Sequence, residues 1–139
     1  MIGICIVTHG NLAEGLRDSS ELIIGEQTQF ETVCLRHGDD FEEFKETVFQ
    51  SIKRANQTEG VLVLVDLFGA SPYNSVLFNF PNFEANTIDI RMISGVNLPM
   101  ILDACENREH LTLEELFNKT IHTGKEYIIG IDAQMNQVI

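Results

Sequence analysis

The sequence has no tryptophan, only three prolines and three cysteines, and nine basic side chains against 21 acidic ones in 139 residues. Each shortage excludes something. With a formal charge of −12 at pH 7, and with its Lys and Arg scattered, the chain lacks the clustered cations that nucleic acid or an anionic membrane surface demands. Proteins or small molecules are therefore the expected partners. Cys5, Cys34 and Cys105 are odd in number and far apart, with neither metal-ligand nor disulfide-framework spacing, so reduced, half-buried thiols and no metal site are expected. No apolar run approaches the length of a membrane span, and the N-terminus lacks the basic region and cleavage site of a signal peptide, which fits a cytoplasmic protein. A hydrophobic content of 44% suffices for one domain over residues 1–139, and no internal repeat is visible.

What is present is an alternation of strand and helix patterns. Ile2 to Val7 is a charge-free, β-branched run ending at Thr8-His9-Gly10, the pattern of a strand covered on both faces. Asn11 is placed to cap a helix, with Glu14 three residues on, Leu12, Leu16, Ile23 and Ile24 near one face, and Gly25 to close it. Phe30 to Arg36 predicts a second strand, after which Asp39 or Asp40 can cap a helix carrying Phe41, Phe44, Val48 and Ile52 at helical spacing. Val61 to Val65 predicts a third strand, followed by a helix from Pro72 to about Phe80 that Pro81 and Asn82 would end. Ile88, Ile90 and Met92 alternate with polar residues in a fourth. Asn97 is then placed to cap a helix reaching about Cys105. Thr112 and Glu115 form a capping box for a last helix with Leu113, Leu116, Phe117 and Ile121 as its core face and Gly124 as its end. Tyr127 to Ile131 reads as a short fifth strand at an edge. The expected fold is α/β: a doubly wound, mostly parallel sheet of four strands plus that short one, with helices on both faces.

In such sheets ligands bind beyond the carboxyl ends of strands, where the winding reverses. The stretch Asp66-Leu67-Phe68-Gly69-Ala70-Ser71-Pro72 follows the third strand. There Ser71 suits an N-cap and Pro72 the first helical position, so a helix N-terminus, which attracts phosphate, opens beside a carboxylate. If strands one and three flank the reversal, His9 and Asp66 meet at one edge. A carboxylate on one ring nitrogen would orient the imidazole and leave the other nitrogen free to attack. The amides of Gly69, Ala70 and Ser71 would face phosphoryl oxygens. The chemistry this permits is acceptance of a phosphoryl group by His9. The plainer alternative is a loop histidine beside ordinary helix caps.

Three blocks in order, Thr8-His9-Gly10, Val65 to Pro72 and Ser94-Gly95-Val96-Asn97-Leu98-Pro99-Met100, resemble the IIA component of the mannose-type (mannose/fructose/sorbose) bacterial phosphoenolpyruvate-dependent sugar phosphotransferase system. The resemblance runs from Met1 to about Tyr127. It implies a cytoplasmic homodimer without cofactors, relaying a phosphohistidine from the general phosphocarrier protein to the IIB component of a sugar permease, and meeting the membrane only through those proteins. Carried over by position, it implies His9 as the phosphorylated residue, Asp66 as its orienting carboxylate and Gly69 to Ser71 as the phosphate side. Thr8, Gly10, Phe68, Gly95 and Asn97 would lie in the site or partner surface. Ala70 stands where the family often has a second glycine. Since alanine disfavours positive φ, the loop must avoid that conformation there or carry strain. Two further readings are a regulatory or sensor module of the same fold and a small histidine phosphatase. The second rests on Arg36-His37-Gly38, which is similar to the Arg-His-Gly signature of that class but follows the second strand instead of the first, and so reads as a turn. His110 and His122 are expected at the surface.

Overall fold

Period-two alternation along the strands decides which layer each side chain joins. The computed structural model describes residues 1–135, 137 and 138; Asn136 and Ile139, at the end of the expected 1–139 domain, lie outside the described residues. Strands β1 (Gly3–His9), β2 (Phe30–Leu35), β3 (Val61–Val65) and β4 (Ile90–Ser94) form a parallel sheet in the order β2-β1-β3-β4. Cys5, Val7, Val61, Val63 and Val65 face one side, where Phe44, Val48, Phe49 and Ile52 of α2 (Phe41–Ala55), Val76 of α3 (Ser71–Leu77) and Phe83 of α4 (Phe80–Ala85) cover them. Ile4, Ile6, Leu62 and Leu64 face the other, under Ala13 of α1 (Leu12–Ile24), Met100, Ile101 and Ala104 of α5 (Leu98–Asn107), and Leu113 and Leu116 of α6 (Leu113–Glu126). The central strands are thus free of polar side chains from Gly3 to Val7 in β1 and throughout β3, because both faces are covered. Each aliphatic side chain buried there contributes roughly 1.5–3 kcal/mol.

The chain runs from β1 outward to β2 through α1 on one face, and from β3 outward to β4 through α3 and α4 on the other. The winding therefore reverses between β1 and β3. That is the α/β doubly wound arrangement expected. The fifth strand, β5 (Gly130–Ile131), lies in the anticipated stretch and pairs antiparallel with β6 (Gln137–Val138) as a separate two-stranded ribbon.

Several local expectations are corrected. Asn11 makes no capping bond; Thr8 Oγ1 accepts the Ala13 N–H at 2.8 Å instead, because Thr8 projects toward the layer that contains α1. The core face of α1 is Ala13, Leu16 and Ser20, while Leu12, Ile23 and Ile24 are exposed. Asp40, not Asp39, caps α2, accepting the Glu43 N–H at 3.0 Å. Pro81 opens α4 instead of ending the preceding helix, which stops at Leu77. A proline costs no hydrogen bond in a first turn, where its missing N–H has no partner in any case. Gly124 does not end α6, which continues to Glu126. It is a contact glycine, since a Cβ there would come within 2.7 Å of Met100 Cγ on α5. The caps at Asn97 and at Thr112 with Glu115 are formed as expected, and Gly25 closes α1 with φ +80°.

The opposite edge of the sheet is pinned by Arg108, the C-cap of α5 and only 2% exposed. Its guanidinium donates to the Thr28 carbonyl at 2.6 Å, the Gln29 carbonyl at 3.1 Å, Gln27 Oε1 at 3.2 Å and the Ile2 carbonyl at 3.4 Å. Burial lowers its pKa, and the carbonyl cage in place of a carboxylate holds the charge. Arg108→Ala should leave a cavity and unpaired carbonyls and cost about 3 kcal/mol, read as a lower urea midpoint by circular dichroism. An unchanged midpoint would show that the cage is not structural.

Candidate functional site

The parallel register of β1 and β3 pairs Val7 with Val65, so the residues just beyond, Thr8-His9 and Asp66, leave the sheet side by side. One carboxylate oxygen serves His9 twice. Asp66 Oδ2 accepts the backbone N–H of His9 at 3.0 Å and lies 2.8 Å from its ring Nδ1. A carboxylate oxygen can only accept, so in the neutral ring Nδ1 carries the proton and Nε2 presents its lone pair. The His9 side chain is 47% exposed and that of Asp66 14%. Asp66 Oδ1 is buried with no protein partner, so among the described residues His9 alone engages this carboxylate. Burial without other donors concentrates the interaction on the imidazole.

The surrounding residues hold this geometry. Thr8 is fully buried, and its hydroxyl both caps α1 and donates to the His9 carbonyl at 3.2 Å; it supports the site from beneath. Gly10 takes φ +55° while its N–H donates to the Leu35 carbonyl at 2.7 Å, which ties the exit of β1 to β2. In the loop after β3 the positive φ falls on Gly69 (+78°), whereas Ala70 is extended at φ −88°, ψ 178°. Alanine at position 70 therefore carries no strain. Ala70, not Ser71, occupies the cap position of α3, and Ser71 is the first residue of that helix. The Ala70 N–H turns back to the Leu67 carbonyl at 3.4 Å, while among the described residues those of Gly69 and Ser71 have no protein acceptor. Asn74 Nδ2 donates to the Gly69 carbonyl at 3.2 Å and braces the loop.

Phe68 is 72% exposed with its ring 4.8 Å from that of Tyr73, so it projects outward beside the site. Gly95, with φ +80°, exits β4 at the same edge, and the adjacent Val96 N–H bonds to the Val65 carbonyl at 3.1 Å. Asn97 faces away. Its side chain accepts from Met100 N–H at 3.1 Å and donates to the Gly124 carbonyl at 3.2 Å, joining α5 to α6. Sequence reasoning missed Arg36, taken there for part of a turn. It leaves β2 directly beside His9 and bonds to Asn11 and Glu14 in front of α1. The available signal was its position immediately after a strand that neighbours β1. His110 and His122 are exposed, and no group of His, Cys, Asp or Glu among the described residues could hold a metal ion.

A protein-family model, the EIIA-man model for the PTS system fructose IIA component, matches residues 3–121. The chain belongs to the EIIA-man family. Its role is accordingly that of a mannose-type IIA component in sugar phosphotransfer. The fructose-specific EIIA component of Bacillus subtilis is 36% identical over 118 residues, which are 85% of this chain and 78% of that protein. The mannose-specific EIIAB component of Escherichia coli is 30% identical over 137 residues; the match takes in 96% of this chain and 40% of that longer protein. The crystal structure of phosphotransferase system component EIIA from Streptococcus agalactiae superposes with a TM-score of 0.83 at 29% identity, covering 94% of this IIA chain and 97% of the other. Among the described residues no helix is long and apolar enough to cross a membrane.

Cys5 and Cys105 are not rivals to His9 as nucleophiles. All three cysteines are free. Burial raises the Cys105 thiol to about 11, and that of Cys5, buried within β1, higher still. Iodoacetamide labelling of Cys105, followed by mass spectrometry, should accelerate about tenfold per unit between about pH 8 and 10. A rate flat across that range would contradict the assignment.

Proposed function

We propose that this IIA component accepts a phosphoryl group on His9 from the general phosphocarrier protein and passes it to a IIB component. The observation that carries the reading is the shared hydrogen bonding of the His9 ring and backbone to Asp66 Oδ2, which directs an unprotonated Nε2 outward. In the transfer, the Nε2 lone pair attacks phosphorus in line. The Nε2–P bond forms as the donor's bond to phosphorus breaks, and the donor atom keeps that electron pair. Asp66 retains its hydrogen bond to Nδ1–H and stabilises the positive charge that the ring gains. The free amides of Gly69 and Ser71 and the Ser71 hydroxyl are the groups for phosphoryl oxygens, and Phe68 and Gly95 flank the approach of a partner. Both partners use the same exposed edge in turn, in a cytoplasmic homodimer that reaches the permease only through IIB. The sugar makes no contact with this chain.

Incubation with phosphoenolpyruvate and the two general phosphotransferase proteins should place an acid-labile phosphoryl group on His9, mapped by mass spectrometry. A folded protein that acquires none would instead be a regulatory relative of the same fold. His9→Ala should abolish labelling and change stability by less than about 1 kcal/mol, as expected for a half-exposed loop side chain. A variant labelled at the wild-type rate would refute the assignment. Asp66→Asn keeps the volume but lets an amide face Nδ1, and should slow labelling at least about tenfold with a stability change under about 1 kcal/mol. A kinetically silent Asp66→Asn would remove the orienting role.

A further inference from the structure

The four loops that leave the carboxyl ends of the strands contain one Lys or Arg, Arg36. It sits beside the reactive histidine by construction: Leu35 is the register partner of His9, and its carbonyl accepts the Gly10 N–H at 2.7 Å. The carboxylates at this edge have separate duties. Asp66 holds His9, Asp40 caps α2, and Asp39 accepts the Arg36 backbone N–H at 2.8 Å. Glu14, in the first turn of α1, has Arg36 as its one side-chain partner among the described residues, at 3.1 Å. Asn11, freed from capping by Thr8, turns its side-chain oxygen to the same guanidinium. The ion pair is exposed, at 48% for Arg36 and 60% for Glu14, and exposed pairs contribute little to stability. Their effect on a charged reactant is another matter, since the chain carries −12 overall and a phosphoryl group arrives as a dianion.

We infer that Arg36 is a positioning residue for phosphoryl transfer: anchored by Asn11, it cancels the charge of Glu14 at the mouth of the site and so admits a phosphoryl dianion to His9. This rests on the relay function proposed above. The test is the rate of His9 labelling by the phosphoenolpyruvate-driven donor mixture, for the full chain and its variants. Arg36→Ala should lower kcat/KM about fivefold at low salt and under twofold at about 0.5 M salt, where screening is short-ranged. Arg36→Lys should keep most of the rate. The deciding variant is Arg36→Ala with Glu14→Gln, which removes both charges and should recover to within about twofold of wild type; a merely structural pair would not be rescued by losing its second member. Glu14→Gln alone, with the guanidinium kept, should be at least as fast as wild type, and it reads the same effect should Arg36→Ala fold poorly. An unaffected Arg36→Ala, an unrescued double variant or a slowed Glu14→Gln would overturn the inference while leaving the relay intact. Absence of phosphate on wild-type His9 would overturn both.

Discussion

The site depends on one carboxylate oxygen that accepts two hydrogen bonds from the same residue. Asp66 Oδ2 holds the backbone of His9 and its ring together, so the imidazole has a fixed direction and a fixed tautomer. Neither bond could form in a different strand order. Only because β1 and β3 are parallel neighbours do the residues just past their ends emerge together, and only because the winding reverses between them is that edge left open. Charge-assisted bonds of this kind are among the stronger ones available to a protein. Oδ1 is buried and, among the described residues, without a partner, so His9 alone of those residues answers the carboxylate.

A second constraint is electrostatic. The proposed relay would bring a doubly negative group to a strongly acidic chain, a demand that local groups and not the overall charge would have to meet. The open edge offers two amides with no protein acceptor among the described residues in the loop after β3 and one arginine after β2, the arginine held by the side chains of Asn11 and Glu14 at the start of α1. On the far edge the other conspicuous cation, Arg108, is buried in a cage of carbonyls and serves the fold. The two arginines differ in burial and partners: Arg108 joins segments inside the fold, while Arg36 is exposed to solvent and bonds to Asn11 and Glu14.

Much of this was legible in the sequence. Uninterrupted apolar runs at Ile2 to Val7 and Val61 to Val65 identify central strands, because only strands covered on both faces dispense with polar alternation. The position of His9 and Asp66 just beyond such runs implied their juxtaposition if the two strands were neighbours, and the strand order β2-β1-β3-β4 meets that condition. What was not legible lay in competition between nearby groups. Asn11 and Thr8 can both cap α1, and the winner depends on which face Thr8 occupies and on an arginine 25 residues further along the chain. Gly124 and Pro81 look like helix ends in isolation. Tertiary contact with Met100 and the start of a new helix decide otherwise. Ile23 and Ile24 have helical spacing, yet among the described residues they stay exposed.

The most direct test of the account concerns which ring nitrogen reacts. With uniformly ¹⁵N-labelled protein, long-range proton–nitrogen and phosphorus–nitrogen NMR correlations of His9 can be recorded before and after phosphorylation. The account predicts an Nδ1-protonated tautomer in the free protein and phosphorus coupled to Nε2 afterwards, with the Nδ1 proton retained toward Asp66. A phosphoryl group on Nδ1, or an Nε2-protonated free ring, would contradict it.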